Sequence, residues 1–323
     1  MDFLHLVWLG APAWMWLSFL AIVAVLLAFD LGVLHRDDHV IGVRESLKLS
    51  ALYLGAGLLF GLWVWHGFGS EKALHFYTGF LIEKSLSLDN IFVISLIFAT
   101  LAIPPAYQHR VLFWGILGVI LMRGVMIGAG AALVASYSWV LYLFGAVLIV
   151  TGVKMFFAIE HLHGVRDSAV LAWLRRHLRV TAIHGNAFLV RLPQAGNARL
   201  AWHATPLFLA LCMVEITDLI FAVDSVPAIL AITSDPFIVY TSNIFAVLGL
   251  RALYFALADV VQRFRYLKYS LAAVLVFIGS KIYLGDFLFG GKVPAGLSLG
   301  VTATLIAAGI GYSLWRSRSE VRR

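Results

Sequence analysis

The chain has 323 residues, of which 62% are hydrophobic and 13% charged, and its mean hydropathy is +0.93. A soluble domain carries about 25% charged residues, so this composition excludes an ordinary water-soluble fold and predicts an all-α, polytopic membrane protein. Cys212 is the single cysteine, which excludes intrachain disulfides and thiolate clusters, and the net charge of +7 is explained by topology without invoking nucleic acid.

A membrane span needs about 20 apolar residues. Nine such segments follow one another, at 14–34, 49–66, 75–101, 111–134, 138–158, 204–232, 241–258, 267–288 and 296–315. The chain then reads as one membrane domain (1–323): two N-terminal helices (14–66), a first three-helix unit (67–158), a cytoplasmic linker (159–203), a second three-helix unit (204–288) and a C-terminal helix (296–315). Within the polar linker, 168–179 predicts a short amphipathic helix and the stretch around Phe188 to Arg191 a small hairpin. No basic run precedes the first segment, so it is expected to remain as a helix with its N-terminus outside. That orientation places 17 basic residues in inner loops and the tail, among them Arg36, Arg110, Arg175, Arg176 and Arg316, against Lys72 and Lys292 outside. Such an excess is the pattern of a multi-pass inner-membrane protein with a cytoplasmic C-terminus.

Five carboxylates lie within two of the apolar segments: Glu83 and Asp89 in the third, Glu215, Asp218 and Asp224 in the sixth. Each charge at membrane depth costs roughly 2.5 kcal/mol or more, so five together predict a polar site built for cations. The same order, acid pair, arginine, lysine, occurs twice. Glu83 and Asp89 match Asp218 and Asp224 at an offset of 135, Arg123 matches Arg251 at 128, and Tyr142, Gly152 and Lys154 match Tyr269, Gly279 and Lys281 at 127. Three helices are an odd number, so the second copy enters the membrane from the opposite side. Two inverted repeats are expected, related by an axis in the membrane plane, with the site near the midplane where they meet.

On a helix, Glu83, Ser87 and Asn90 share one face, as do Glu215, Asp218, Ala222 and Ser225; Asp89 and Asp224 are offset. Pro227 lies inside the sixth segment and is expected to free the carbonyl of Val223. Carboxylates, an amide, hydroxyls and backbone carbonyls suit a hard divalent cation: manganese, calcium or magnesium. Arg123 and Arg251, the deeper bases, are expected to balance or gate the acids. The negative charge that remains is compensated by a divalent ion or by protons, either of which is compatible with ion-for-proton exchange. The competing reading is a structural ion-pair network that ties the repeats together. Other features carry less. Asp30, beside His35 to His39, reads as a solvated boundary acid before it reads as an inner vestibule. Glu160, His161 and His163 read as surface residues before a metal tract. Thr241-Ser242-Asn243 reads first as a helix N-cap and second as pore lining. No nucleophile and base pair, phosphate loop or HExxH motif supports an enzyme, and no prosthetic group is implied.

Three motifs, Glu83-Lys-Ser-Leu-Ser-Leu-Asp89-Asn90-Ile-Phe-Val93, Glu215-Ile-Thr-Asp218-Leu-Ile-Phe-Ala-Val-Asp224-Ser225-Val-Pro227-Ala228 and Thr241-Ser-Asn243-Ile-Phe-Ala-Val-Leu-Gly249-Leu-Arg251-Ala-Leu-Tyr-Phe255, resemble the TerC family of bacterial membrane proteins. The likeness runs from about residue 14 to 315 and is closest to the Alx-type members. It implies an inner-membrane protein with an architecture related to the LysE superfamily of exporters, and for Alx-type members manganese(II) export linked to alkaline pH. The metal-site residues carried over are Glu83, Asp89, Asn90, Glu215, Asp218 and Asp224. The family also has an association with tellurium resistance, and some relatives with membrane-protein assembly. A non-transporting scaffold or sensor is therefore the alternative.

Overall fold

The structure, a computed structural model, describes residues 5–32, 42–157, 168–194, 197–257, 267–288 and 293–321. The His35 to His39 and Glu160 to His163 tracts lie outside the described residues, as do the side chains of Asp30 and Asp89. A two-stranded antiparallel hairpin, β1 (Val7–Trp8) and β2 (Ala11–Pro12), precedes helix α1 (Ala13–Gly32). Then follow α2 (Val43–Phe68), α3 (Ser70–Thr100), α4 (Pro105–Ser136) and α5 (Trp139–Phe157). The linker holds α6 (Ala169–His177) and the antiparallel hairpin β3 (Leu189–Gln194) and β4 (Asn197–Ala204). The second half is α7 (Pro206–Leu230), α8 (Pro236–Leu248), α9 (Leu250–Leu257), α10 (Leu267–Leu288) and α11 (Ala295–Val321).

Each of the nine apolar segments falls on helix, with α8 and α9 sharing the seventh. Among the described residues, seven helices are long and apolar enough to cross a membrane. Glu83, Lys84 and Asp89 keep α3 off that measure, and the apolar part of α1 is shorter, Ala13–Phe29. Large apolar side chains such as Leu59, Leu121 and Val125 are exposed, as expected of surfaces that face lipid.

Local chemistry explains the boundaries. Proline stands in the first turn of α4, α7 and α8, where its missing N–H costs nothing. Gly69 alone joins α2 to α3, and its φ of +88° is a conformation that favours glycine. The seventh segment starts earlier than its sequence suggests. Asp235 is the N-cap of α8 and accepts from the Phe237 N–H at 3.0 Å, which corrects the N-cap reading of Thr241 to Asn243. Lys72 pins this cap through an ion pair of 2.6 Å. Pro227 does not interrupt α7, which runs on to Leu230.

The aromatic rings of Phe19, Phe60, Phe76, Phe237 and Phe245 pack α1, α2, α3 and α8 together, the tightest pair being Phe60 and Phe245 at 4.6 Å. A second apolar cluster packs α3, α4, α7 and α9 under α6, through Leu171 and Leu174. Helices α5 and α10 meet through glycine. A Cβ on Gly279 would lie 2.6 Å from the Gly145 carbonyl oxygen, and one on Gly152 would lie 2.7 Å from that of Ala272. The offset of 127 turns the pair Gly145 and Gly279 into the pair Ala272 and Gly152. It also turns Tyr142 and Tyr283, whose rings are 5.7 Å apart, into Tyr269 and Phe156, at 5.4 Å. Contacts that exchange in this way are what a two-fold relation between the helices produces.

The glycine seam gives a direct test. In Gly279→Leu the obstructing atoms are backbone and cannot step aside, so the variant should lose about 1–3 kcal/mol or more. Gly300→Leu on α11, where a Cβ meets nothing within 4 Å, should be tolerated. Thermal unfolding of the two purified variants checks this; equal midpoints would show that the seam yields.

Candidate functional site

Four helices bring the polar residues together: α3 carries Glu83 and Asn90, α4 carries Arg123, α7 carries Asp218 and Ser225, and α8 carries Asn243. Arg123 is fully buried and sits at the centre. Its Nη1 lies 2.6 Å from Glu83 Oε1. Its Nη2 and Nε donate to Asp218 Oδ1 at 3.0 Å and Oδ2 at 3.2 Å, a two-pronged pairing that the planar guanidinium matches. Nη1 also donates to Asn243 Oδ1 at 2.6 Å and Ser225 Oγ at 3.4 Å. Asn243 closes the ring by donating to Glu83 Oε2 at 3.2 Å.

A burial this deep is tolerated because every partner is itself paired. Ser87, on the Glu83 face, turns to its own helix and donates to the Glu83 carbonyl at 2.8 Å. Asn243, at the seventh segment, is thus a central member of the site, whereas its place in Thr-Ser-Asn suggested a cap.

Asp218 has a second neighbour. Asn90 Nδ2 donates to Asp218 Oδ1 at 3.4 Å, which leaves Asn90 Oδ1 buried without a hydrogen-bond partner. The reverse amide orientation would set an oxygen against the carboxylate, so the network selects this one. Asn90, Gly115, Thr217, Asp218 and Arg251 border a cavity with apolar walls and about 20 Å³ of room for the centre of a water-sized sphere. That suffices for one water or one dehydrated ion.

Arg251, buried as well, borders the same cavity as Asp218. Glu215 stands one turn before Asp218 and lays its carboxylate against Gly118 of α4, where a Cβ would collide with it. Its Oε2 is buried without a hydrogen-bond partner. Asp224 points away from this centre, to Thr151 of α5, whose hydroxyl donates to it at 3.1 Å. Asp89 lies on α3, between Glu83 and the end of the helix.

Lys84 does not join the acids. It donates to the carbonyl of Ala246 at 3.1 Å, one of the unsatisfied carbonyls where α8 ends at Gly249. A Cβ on Gly249 would lie 2.6 Å from Lys84 Nζ, so a side chain there would push the ammonium aside.

The structure thus gathers Glu83, Asn90, Asp218, Arg123 and Arg251 at one locus, with Glu215 beside it and Asp224 apart. Among the described residues, no three His, Cys, Asp or Glu side chains form a group that could hold a metal ion. The cation lodged between Glu83 and Asp218 is a guanidinium. Asn90 and Asp218 border the cavity, while the Asp218 oxygens accept from Arg123 and Asn90. The number of carboxylates bordering the cavity is smaller than the sequence suggested.

The "Integral membrane protein TerC family" model matches residues 68–321. The uncharacterized membrane protein STKORF319 of Myxococcus xanthus is 49% identical over 96% of this chain and 94% of its own length. A membrane protein of Rickettsia bellii is 47% identical over 93% of this chain and 97% of its own. The Alx protein of Salmonella typhi, named as a proposed membrane-bound redox modulator, is 44% identical over 95% of both chains. No solved structure gives a significant match.

Proposed function

We propose, from the premise that the chain belongs to the TerC family of integral membrane proteins, that it exports a hard divalent cation, manganese(II) first, from the cytoplasm of a bacterium. The observation that carries this reading is the buried acidic pair Glu83 and Asp218, gripped by Arg123, with the unpartnered Asn90 Oδ1 beside it at a water-sized cavity. A buried polar atom left unpaired costs about 1–3 kcal/mol, a cost that a cation or a water in the cavity would relieve. Oxygen groups, with no histidine or thiol among the described residues that border the cavity, favour a hard ion over zinc or copper.

Glu83, Asp89, Asn90, Glu215, Asp218 and Asp224 remain the proposed cation-handling set. Asn90 and Asp218 receive the ion in this conformation, and Arg123 and Arg251 are its charge-balancing partners. The inner membrane, with the N-terminus outside and the C-terminus cytoplasmic, is the proposed setting, with protons as the counter-ion. The redox description belongs to the Alx relatives. In this chain the lone, half-buried Cys212 of α7 leaves no intrachain thiol pair for such a switch.

Manganese(II) flux into inside-out vesicles is the test. Vesicles carrying the protein should accumulate the ion saturably, faster when their lumen is acidic and protons leave as metal enters. Uptake no greater than in vesicles without the protein would leave the scaffold or sensor reading in its place. Uptake that ignores the pH gradient would retain the metal and remove the proton.

A further inference from the structure

The β3–β4 hairpin carries its apolar side chains outward. Directly opposed residues of an antiparallel ladder point to the same side, and successive residues alternate. Arg191 opposes Trp202 and Pro193 opposes Leu200, so these four share one face with Leu189. All five are exposed, Leu200 by 63% and Trp202 by 57%, whereas Val190, Leu192, Ala201 and His203 of the other face are half-buried. A hairpin with one face in water alternates the other way, with polar residues outward. Among the exposed apolar groups lies the Arg191 guanidinium, over the Trp202 ring at 4.4 Å. Stacking uses the flat of a guanidinium and leaves its N–H edge for an acceptor in the plane.

The hairpin is fastened to the end of a span. Thr205, the buried residue just before α7, donates its hydroxyl to the Ala187 carbonyl at 2.7 Å and to that of Phe188 at 3.1 Å. Arg110 of α4 stacks on the Phe188 ring at 5.4 Å. Trp202 stands four residues before Pro206, where apolar α7 begins, so at about 3.3 Å per residue it lies no more than about 13 Å from that end. Charge here is one-sided too. From Ser168 to Val214 the chain carries Arg175, Arg176, Arg179, Arg191 and Arg199 and no aspartate or glutamate. A second copy seated on this face would set these arginines against themselves. An anionic leaflet attracts them, and its headgroup–acyl boundary accepts tryptophan, leucine and arginine together.

We propose that the outer face of the β3–β4 hairpin is a docking surface for anionic phospholipid. Leu189, Pro193, Leu200 and Trp202 enter the headgroup–acyl boundary of the adjoining leaflet, and Arg191 takes a lipid phosphate. The apolar side chains supply immersion, and the guanidinium supplies the preference for anionic over zwitterionic headgroups. The proposal needs only that the chain spans a membrane, and it stands whether or not manganese is the cargo. Docked in this way, the hairpin tethers the start of α7, the helix that carries Glu215, Asp218 and Asp224.

A nitroxide label at Leu200→Cys, in a Cys212→Ser background of the full-length protein, reports what covers this face. The protein is placed in lipid nanodiscs of phosphatidylcholine alone or of an equal mixture with phosphatidylglycerol. Relaxation of the label by oxygen, which concentrates in lipid, is compared with relaxation by a water-soluble nickel chelate. In the mixed discs oxygen should dominate, as it should for a label at Leu121→Cys on the exposed side of α4. Arg191→Gln should lower the ratio of immersed to open label about fivefold in the mixed discs, the weight of one basic residue at an anionic surface, and leave it unchanged in phosphatidylcholine. Trp202→Ser should lower it in both. Should the Leu200→Cys protein fail to fold, Leu189→Cys on the same face gives the same readout. A label relaxed mainly by nickel in the mixed discs would mean a face open to water. One protected from both agents would mean a face covered by protein, a second copy or another chain. Either result would overturn the proposal, and so would an Arg191→Gln ratio equal to that of the parent in the mixed discs.

Discussion

Arg123→Met should destabilise the protein more than any other single change at the site. The side chain keeps much of its volume, but Glu83 and Asp218 lose the guanidinium that both of them grip, at 2.6 and 3.0 Å. Breaking one buried ion pair from one side costs about 3–5 kcal/mol, because the remaining charge has no water to turn to. Here a single substitution strands two. The expected result is little folded protein, or a large fall in the unfolding midpoint. Neutralising the stranded partners in Arg123→Met/Glu83→Gln/Asp218→Asn should recover most of the loss, since no charge is then left uncompensated. Arg123→Lys should fall between, keeping the charge but losing the fork that meets both oxygens of Asp218. Equal stability of Arg123→Met and wild type would mean that the centre is not held by ionic pairing.

Asp218→Asn should have the largest effect on transport. Among the described residues, Asp218 is the one carboxylate that meets Arg123 and Asn90 and borders the cavity. The amide preserves shape and removes the charge that a divalent ion needs, so manganese flux should fall to the level of empty vesicles while folded protein persists. Asp224→Asn provides the contrast. Its carboxylate is held by Thr151 on the far side of α7, so manganese affinity should stay near wild type. Any defect should appear in turnover, at another stage of the cycle. Near-normal flux in Asp218→Asn would remove this residue from the ion path. Loss of manganese affinity in Asp224→Asn would show that α7 presents a different face to the cargo.

The helices were legible because apolar runs of this length have few other uses, and Glu83, Asp89, Glu215, Asp218 and Asp224 were legible because charge inside such runs is costly. What the sequence could not supply was direction. Asp218 and Asp224 are six residues apart on one helix, and periodicity alone set them on different faces without saying which neighbour each would meet. Asn243 looked like a cap because Thr-Ser-Asn is the composition of caps. The actual cap, Asp235 followed by Pro236, stood several residues earlier in a stretch too short to attract notice. Lys84 follows Glu83 in sequence but does not meet it in space. Successive helical residues point about 100° apart, and its ammonium goes to the Ala246 carbonyl.

The junction at Gly249 has mechanical meaning. Helix α8 ends there and α9 begins, so the segment that carries Asn243 and the one that carries Arg251 are two short levers with a joint between them. A continuous rod would swing both residues by one shared angle. A break at Gly249 would let the two residues shift by different angles. The lysine that bridges from α3 to the Ala246 carbonyl ties the first lever to α3 just before that junction.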